Sequence, residues 1–293
     1  MPVRIVQSNQ NARLKDLRRA LSNPGRDGLA AIEGPILIAE ALRAGMRIHC
    51  VLAAQDAEAL LATLRLPQQS EIFLFPRSIL EPVLTTETPQ PIAALIETPR
   101  WTWDQLISGC PSPRRDAVSH SAANRTPLVL ILAGLQDPGN LGTLLRSAEA
   151  FGATGILSLV GTVSEWNPKA LRASAGSVFR VPIVRAVPEA LAQLRSAGIR
   201  ILTTTARQAE PITAVDLTGP AAIIIGNEGN GVPRELAGQT DAAVTIPCPG
   251  PVESLNAAVA ASVLLYEAAR QRGLARPGQS GHESLRSITR GKQ

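Results

Sequence analysis

The run LVLILA at residues 128–133 narrows what this chain can fold into more than any other stretch. Six apolar residues between Pro127 and Gly134 are too few for an ordinary core helix. They also lack the alternation of a strand with one wet face, so they read as a strand buried on both faces, as in a parallel sheet. AAIII at 221–225 repeats the pattern, and residues 155–159, 181–184, 199–203 and 242–246 give further strands. Helical patterns fall between them at 141–151, 167–173 and 188–197, with residues 138–140 as a turn. The fold class is therefore α/β, a mostly parallel sheet with helices on both faces.

The front of the chain has the same rhythm on a smaller scale. Strands are expected at residues 29–33, 48–53, 72–75 and 92–96, and helices at 35–44, 56–64 and 78–85, making a compact α/β unit. Glu33 precedes Gly34 and Pro35, where its carboxylate suits the positive N-terminus of the next helix. Residues 1–23 set Lys15, Arg18 and Arg19 around Leu14, Leu17 and Leu21, a basic amphipathic helix. Residues 101–127 are rich in Ser, Pro, Ala and Arg without apolar periodicity and read as a flexible linker, with Arg114 and Arg115 as solvated charge. The organisation expected is thus 1–100 as a front domain, 101–127 as linker, 128–273 as the second domain and 274–293 as a disordered tail.

Composition excludes several functions. Cys50, Cys110 and Cys248 are far apart without CxxC spacing, and His49, His120 and His282 are scattered, so neither a disulfide framework nor a metal site is expected. No apolar run reaches the roughly 20 residues of a membrane helix, and the amino-terminal residues lack a secretory core, which makes the cytoplasm the expected location. A net charge of +5 fits a polyanionic partner, whereas 3% aromatics argue against recognition by extensive base stacking.

Three segments at strand ends carry unusual residues. The first is NLGTLLRSAEAFG, with Asn140 and with Arg146 on a different helix face from Leu144. The second, IIIGNEGNGVP, follows a strand with Gly226, Asn227, Glu228 and Gly231, and its glycines let backbone amides approach a ligand. It lacks GxxxxGK followed by Ser or Thr, and GNEGNG does not fit GxGxxG, so a triphosphate cradle and a dinucleotide site are both excluded. The third is IPCPGPVESLNAAVAASVLLYEAAR, where prolines stiffen the loop 247–251. Ser254 is placed to cap a helix starting at Leu255 that buries Leu255, Ala258, Val259, Ser262 and Leu265. Ser254 is not in GxSxG and has no histidine nearby in sequence, which argues against a hydrolase triad.

In that order and spacing, the three segments resemble the signature motifs of the SpoU/TrmH family of SPOUT RNA methyltransferases, across about residues 128–272. The front unit, with its EGPILIAEAL segment, looks like the ribosomal-protein-like substrate-binding domain found ahead of many members. The resemblance implies S-adenosylmethionine as methyl donor, a ribose 2'-hydroxyl of RNA as acceptor, a homodimer through the C-terminal domain and a deep trefoil knot there. The long front unit looks more like members acting on ribosomal RNA than the shorter transfer-RNA enzymes. A transfer-RNA 2'-O-methyltransferase, a non-catalytic RNA-binding protein of the same fold and a different nucleotide-cofactor enzyme are the rival readings.

In such a protein Asn140, Arg146, Glu228, Ser254 and Asn256 would serve catalysis. Thr204, Gly226, Asn227, Gly231, Ile246, Pro247, Gly250 and Leu255 would enclose the cofactor, with Thr204 on the adenine side. Cys248 departs from the methionine that many relatives carry. Arg146 matches the family's proposed general base. A guanidinium pKa above about 12 favours instead a group that positions phosphate beside the hydroxyl.

Overall fold

The computed structural model describes residues 2–86, 88, 90–109, 125–206 and 209–273. Arg114, Arg115 and the expected tail lie outside them. The chain builds two sheets. The front sheet holds β1 (Val3–Ile5), β2 (Leu29–Glu33), β3 (Ile48–Ala54), β4 (Ile72–Phe75) and β5 (Ile92–Glu97) in the order β1-β4-β3-β5-β2. β1, β4 and β3 run parallel, and β5 is antiparallel to both β3 and β2. β1 was not expected from the sequence, since three exposed residues give no periodic signal.

The basic amphipathic helix is present as α1 (Ala12–Ser22), capped by the Asn11 side chain. Its Leu14 and Leu17 pack on Cys50, Leu52, Phe73 and Phe75, leaving Lys15, Arg18 and Arg19 exposed. Next come α2 (Pro35–Arg43), α3 (Glu58–Thr63) and α4 (Arg77–Leu80), the last two shorter than expected. Glu33 does not serve the α2 N-terminus. Its carboxylate accepts from the Thr85 amide at 3.0 Å and hydroxyl at 2.7 Å, because the chain after α4 folds back over the end of β2.

The expected linker is structured at its start. Thr102 and Gln105 form a reciprocal capping box for α5 (Trp103–Ser108), and Leu106 is fully buried against Val129, Leu157 and Leu191. The T-x-x-Q signature is present in TWDQ, just ahead of the Ser/Pro-rich stretch.

The rear sheet is wholly parallel and has seven strands: β6 (Leu128–Ala133), β7 (Gly155–Leu159), β8 (Ile183–Ala186), β9 (Arg200–Thr204), β10 (Glu210–Pro211), β11 (Ala221–Gly226) and β12 (Ala242–Thr245). Their order is β10-β12-β9-β11-β6-β7-β8. Leu128, Leu130 and Leu132 face α6 (Pro138–Ala150), α7 (Pro168–Ser174) and α10 (Ala257–Gln271). Val129 and Ile131 face α5, α8 (Leu191–Ser196) and α9 (Arg234–Ala237). Helices therefore cover both faces, as the unbroken apolar run requires.

The two sheets share a core. Ala30, Ile32 and Leu37 belong to the same buried cluster as Leu144, Trp166 and Leu171. Arg180 ties the seam by bonding both Glu40 and Glu149. Gly25 meets the Trp166 ring so closely that an added Cβ would sit 2.4 Å from it.

Candidate active site at the carboxyl edge of the parallel sheet

Parallel strands open all their carboxyl ends on one edge, where open α/β sheets bind ligands. The segments after β6, β11 and β12 meet there. α6 begins one turn earlier than expected, so residues 138–140 are its first turn rather than a separate turn. Asp137 is its N-cap, accepting from the Asn140 amide at 2.8 Å, and Pro138 takes the first position, where its missing N–H costs nothing. The Asn140 side chain is therefore not used to cap its own helix. It points elsewhere.

Its partners fix its orientation. The Glu228 carboxylate can only accept, so the Asn140 Nδ2 must face it, at 3.0 Å from Oε1. That leaves the Asn140 Oδ1 as acceptor for the Asn256 Nδ2, at 2.9 Å. The Asn256 Oδ1 is then turned to the amides of Ala258 and Val259, at 2.9 and 3.2 Å, and caps α10. One carboxylate thus orders two amides and joins three segments that are up to 116 residues apart.

Glu228 also accepts from the backbone amides of Gln136 and Asp137 at 3.4 and 3.3 Å. Partial burial raises its pKa, but the Asn140 amide and these backbone donors outweigh burial and hold it below the ordinary carboxylate value. Asp137 is likewise held low, first by the Asn140 amide and then by Lys169, whose Nζ lies 3.2 Å away.

The glycine loop is braced by Asn227. Its backbone exchanges hydrogen bonds with Gly231 at 3.0 and 2.9 Å, its Oδ1 accepts from the Gly229 amide at 2.8 Å, and its Nδ2 donates to the Gly134 carbonyl at 2.9 Å. At Gly226 an added Cβ would stand 2.1 Å from the Gly231 carbonyl carbon, so only glycine permits the loop to close over the strand end.

Two expectations need correction. Ser254 is not the helix cap; it is exposed, has no side-chain hydrogen bond among the described residues, and α10 starts two residues later behind Asn256. Leu255 is only half-buried, Val259 is 49% exposed and Ser262 is partly exposed. The buried stripe is instead Ala258, Ala261, Leu264, Leu265 and Ala268, the face turned to α6 and the sheet. The cap of α6 is Asp137, and the D-P pair in QDPGN is its readable signal.

The remaining candidates lie on α6, on β9 and on the loop after β12. Arg146 is exposed on α6, about 9 Å along the axis from Asn140, and makes no hydrogen bond or ion pair among the described residues. Thr204 ends β9 and donates to the Ile224 carbonyl at 2.8 Å. Ile246 is partly buried, whereas Pro247 and Gly250 are exposed. Sequence reasoning missed Asp137, Gln136 and Lys169, since backbone donors and a lysine from another helix leave no local pattern.

The cluster offers aligned amides, a carboxylate held below its ordinary value and loop backbone, and among the described residues it contains no hydrogen-bonded nucleophile and base. Among the described residues no group of three or more His, Cys, Asp or Glu is placed to hold a metal. Such a site suits alignment of reactants rather than covalent catalysis.

Comparison with known proteins gives this geometry a family. Residues 127–266 match the SpoU rRNA Methylase family, and residues 11–94 match the MRM3-like substrate binding domain. The 23S rRNA (guanosine(2553)-2'-O)-methyltransferase RlmP of Bacillus subtilis is 31% identical over 268 residues, covering 89% of this chain and 97% of that protein. Among solved structures, the SpoU methyltransferase AviRb from Streptomyces viridochromogenes, in complex with AdoMet, superposes with a TM-score of 0.75 at 29% identity, covering 91% of this chain and 100% of that one. An AdoMet-bound rRNA methyltransferase from Sinorhizobium meliloti gives 0.75 at 28% identity, covering 92% and 98%. With its parallel seven-stranded sheet and smaller front sheet, the chain belongs to the SpoU rRNA methylase family.

Proposed function

We propose that this protein transfers the methyl group of S-adenosylmethionine to a ribose 2'-hydroxyl of RNA, with ribosomal RNA as substrate. The observation that carries the reading is the bonded trio Glu228, Asn140 and Asn256, which draws the three motif segments into one site. The loop 246–256 fits the donor: the amides of Cys248, Gly250, Val252 and Ser254 have no hydrogen-bond partner among the described residues and remain able to bind its polar groups. Ile246, Pro247, Gly250 and Leu255 on that loop, together with Thr204, Gly226, Asn227 and Gly231, would hold it.

The bound donor supplies an electrophilic methyl group on a sulfonium. Alignment of the ribose oxygen with the methyl–sulfur axis then matters most, because the reaction develops little oxyanion charge for the protein to stabilise. Asn140 and Asn256 hold the α6 and α10 starts in register beneath that line. Glu228 keeps Asn140 turned. Arg146, exposed and unbonded, positions a phosphate beside the acceptor and eases loss of the hydroxyl proton. Ser254, on the exposed loop, lines the acceptor side.

A homodimer and a cytoplasmic location belong to the same reading. Val259, Val263 and Tyr266 expose an apolar stripe on α10, 49%, 37% and 46% accessible, as a self-associating surface would. No helix of the described residues is long and apolar enough to cross a membrane. A trefoil knot is supported by the sheet order: β12 lies between the earlier strands β9 and β10, and α10 then crosses back to α6. Transfer of labelled methyl onto ribosomal and transfer RNA transcripts tests the proposal. Label in ribosomal RNA at ribose is expected; label on bases, or only in transfer RNA, would overturn it.

A further inference from the structure

We infer that Lys169 and Arg172 form a phosphate-binding bridge that leads an RNA strand from the front sheet to the reaction site, an inference that rests on the RNA reading above. Helix α7 lies against both α6 and β2, with Ala170 and Leu171 buried beneath it and Lys169 and Arg172 exposed on top. The two cations are three residues apart, so their Cβ atoms are about 5–6 Å from each other. That spacing is comparable to the step between successive phosphates of a nucleic-acid strand.

Each cation ends at a different side of the seam. The Lys169 Nζ is 3.2 Å from Asp137, the residue that caps α6 and gives its amide to Glu228. The Arg172 Nη1 is 3.4 Å from the Thr85 hydroxyl, which itself holds Glu33 at the end of β2. A small crevice at this seam is lined by Ala31, Glu33, Leu37, Pro168, Leu171 and Arg172.

The charges on this face leave both cations available. Asp137 and Lys169 are 44% and 58% exposed, a weak solvated pair that a phosphate can displace. The only partner of Arg172 among the described residues is a neutral hydroxyl, and a guanidinium keeps its fork for phosphate oxygens. Glu33, which lines the same crevice, is taken up by Thr85 and Thr86. Arg180, farther along, is already engaged by Glu40 and Glu149. Glu33, Glu40, Glu149 and Arg180 thus each have partners of their own.

The test uses the full chain and an in-vitro transcribed 23S ribosomal RNA, with binding followed across a salt series for the wild type, Lys169→Gln, Arg172→Gln and the double variant. Each lost phosphate contact removes about 0.7 from the slope of log affinity against log salt for a single strand, so the double variant is expected to be shallower by about 1.4. KM for RNA should rise by a larger factor than kcat falls, S-adenosylmethionine affinity should hold, and Lys169→Arg should restore the lost slope. An unchanged slope in the double variant, in a wild type that methylates the transcript, overturns the bridge alone. A parallel loss of cofactor affinity would assign the two residues to the scaffold and also overturn it. A wild type that neither binds nor methylates the transcript defeats the RNA reading itself, and the bridge with it.

Discussion

Asn140 is useful only because it is idle on its own helix. Asp137 does the capping, so the amide is free to take a proton-poor carboxylate on one side and Asn256 on the other. Asn140→Asp replaces the Nδ2 donor with a second carboxylate oxygen facing Glu228. Loss of one hydrogen bond to a charged group costs about 1.5–3 kcal/mol, so kcat/KM for methyl transfer should fall roughly 10- to 100-fold. Steady-state assay with labelled cofactor checks this, and a variant at wild-type activity would mean the trio is not part of the reaction site. The sequence made Asn140, Glu228 and Asn256 legible as residues through their motifs, but not their bonding. Which atom of an amide donates depends on a carboxylate dozens of residues away, and no local pattern encodes that. The role of Ser254 was misread for a related reason: Ser and Asn are comparable caps, and two of them stand two residues apart.

At the scale of the element, α10 carries the decision between those caps. Asn256→Ala removes the acceptor for two α10 amides and is expected to cost about 1 kcal/mol. Ser254→Ala should stay within about 0.5 kcal/mol. Chemical denaturation of both variants separates them, and equal losses would put the helix start back at Leu255. The small residues Ala258 and Ala261 let α10 come close to α6, where the Ser147 and Ser262 hydroxyls meet at 2.6 Å and Phe151 meets Tyr266 edge to face. Gly142 does the same for α6 on α7, since a Cβ there would lie 2.4 Å from that of Ala173. Strands β6 and β11 were legible because an unbroken apolar run has one solution. Helix lengths were less so, because caps and close packing, rather than hydrophobic period, set where α6 and α10 begin.

For the whole molecule, the alternation of strand and helix signals announced two α/β sheets, while strand order, the shared core and the seam through Arg180 required coordinates. Sequence patterns describe neighbours along the chain, and β12 pairs with β9 and β10 across the fold. One global property follows from the closing helix. Glu267 is buried, and Arg270 first, then Gln271, hold its pKa down to about 2 from an ordinary 4.5. A carboxylate depressed in the folded state contributes stability that is full above the unfolded pKa and drains as pH falls toward the folded one. The wild type should therefore lose stability between about pH 4.5 and 2 by more than Glu267→Gln does. Thermal melts of both across that range read the difference, and parallel pH profiles would remove Glu267 from the account.

The central claim is that the three segments make one site for methyl transfer to ribose. Nucleoside mass spectrometry of ribosomal RNA, after reaction with S-adenosylmethionine and either the wild type or Arg146→Ala, tests it most directly. A 2'-O-methylated nucleoside is expected from the wild type and none from Arg146→Ala, with the variant still binding the cofactor. Methylation of a base, or loss of cofactor binding in step with loss of product, would contradict it.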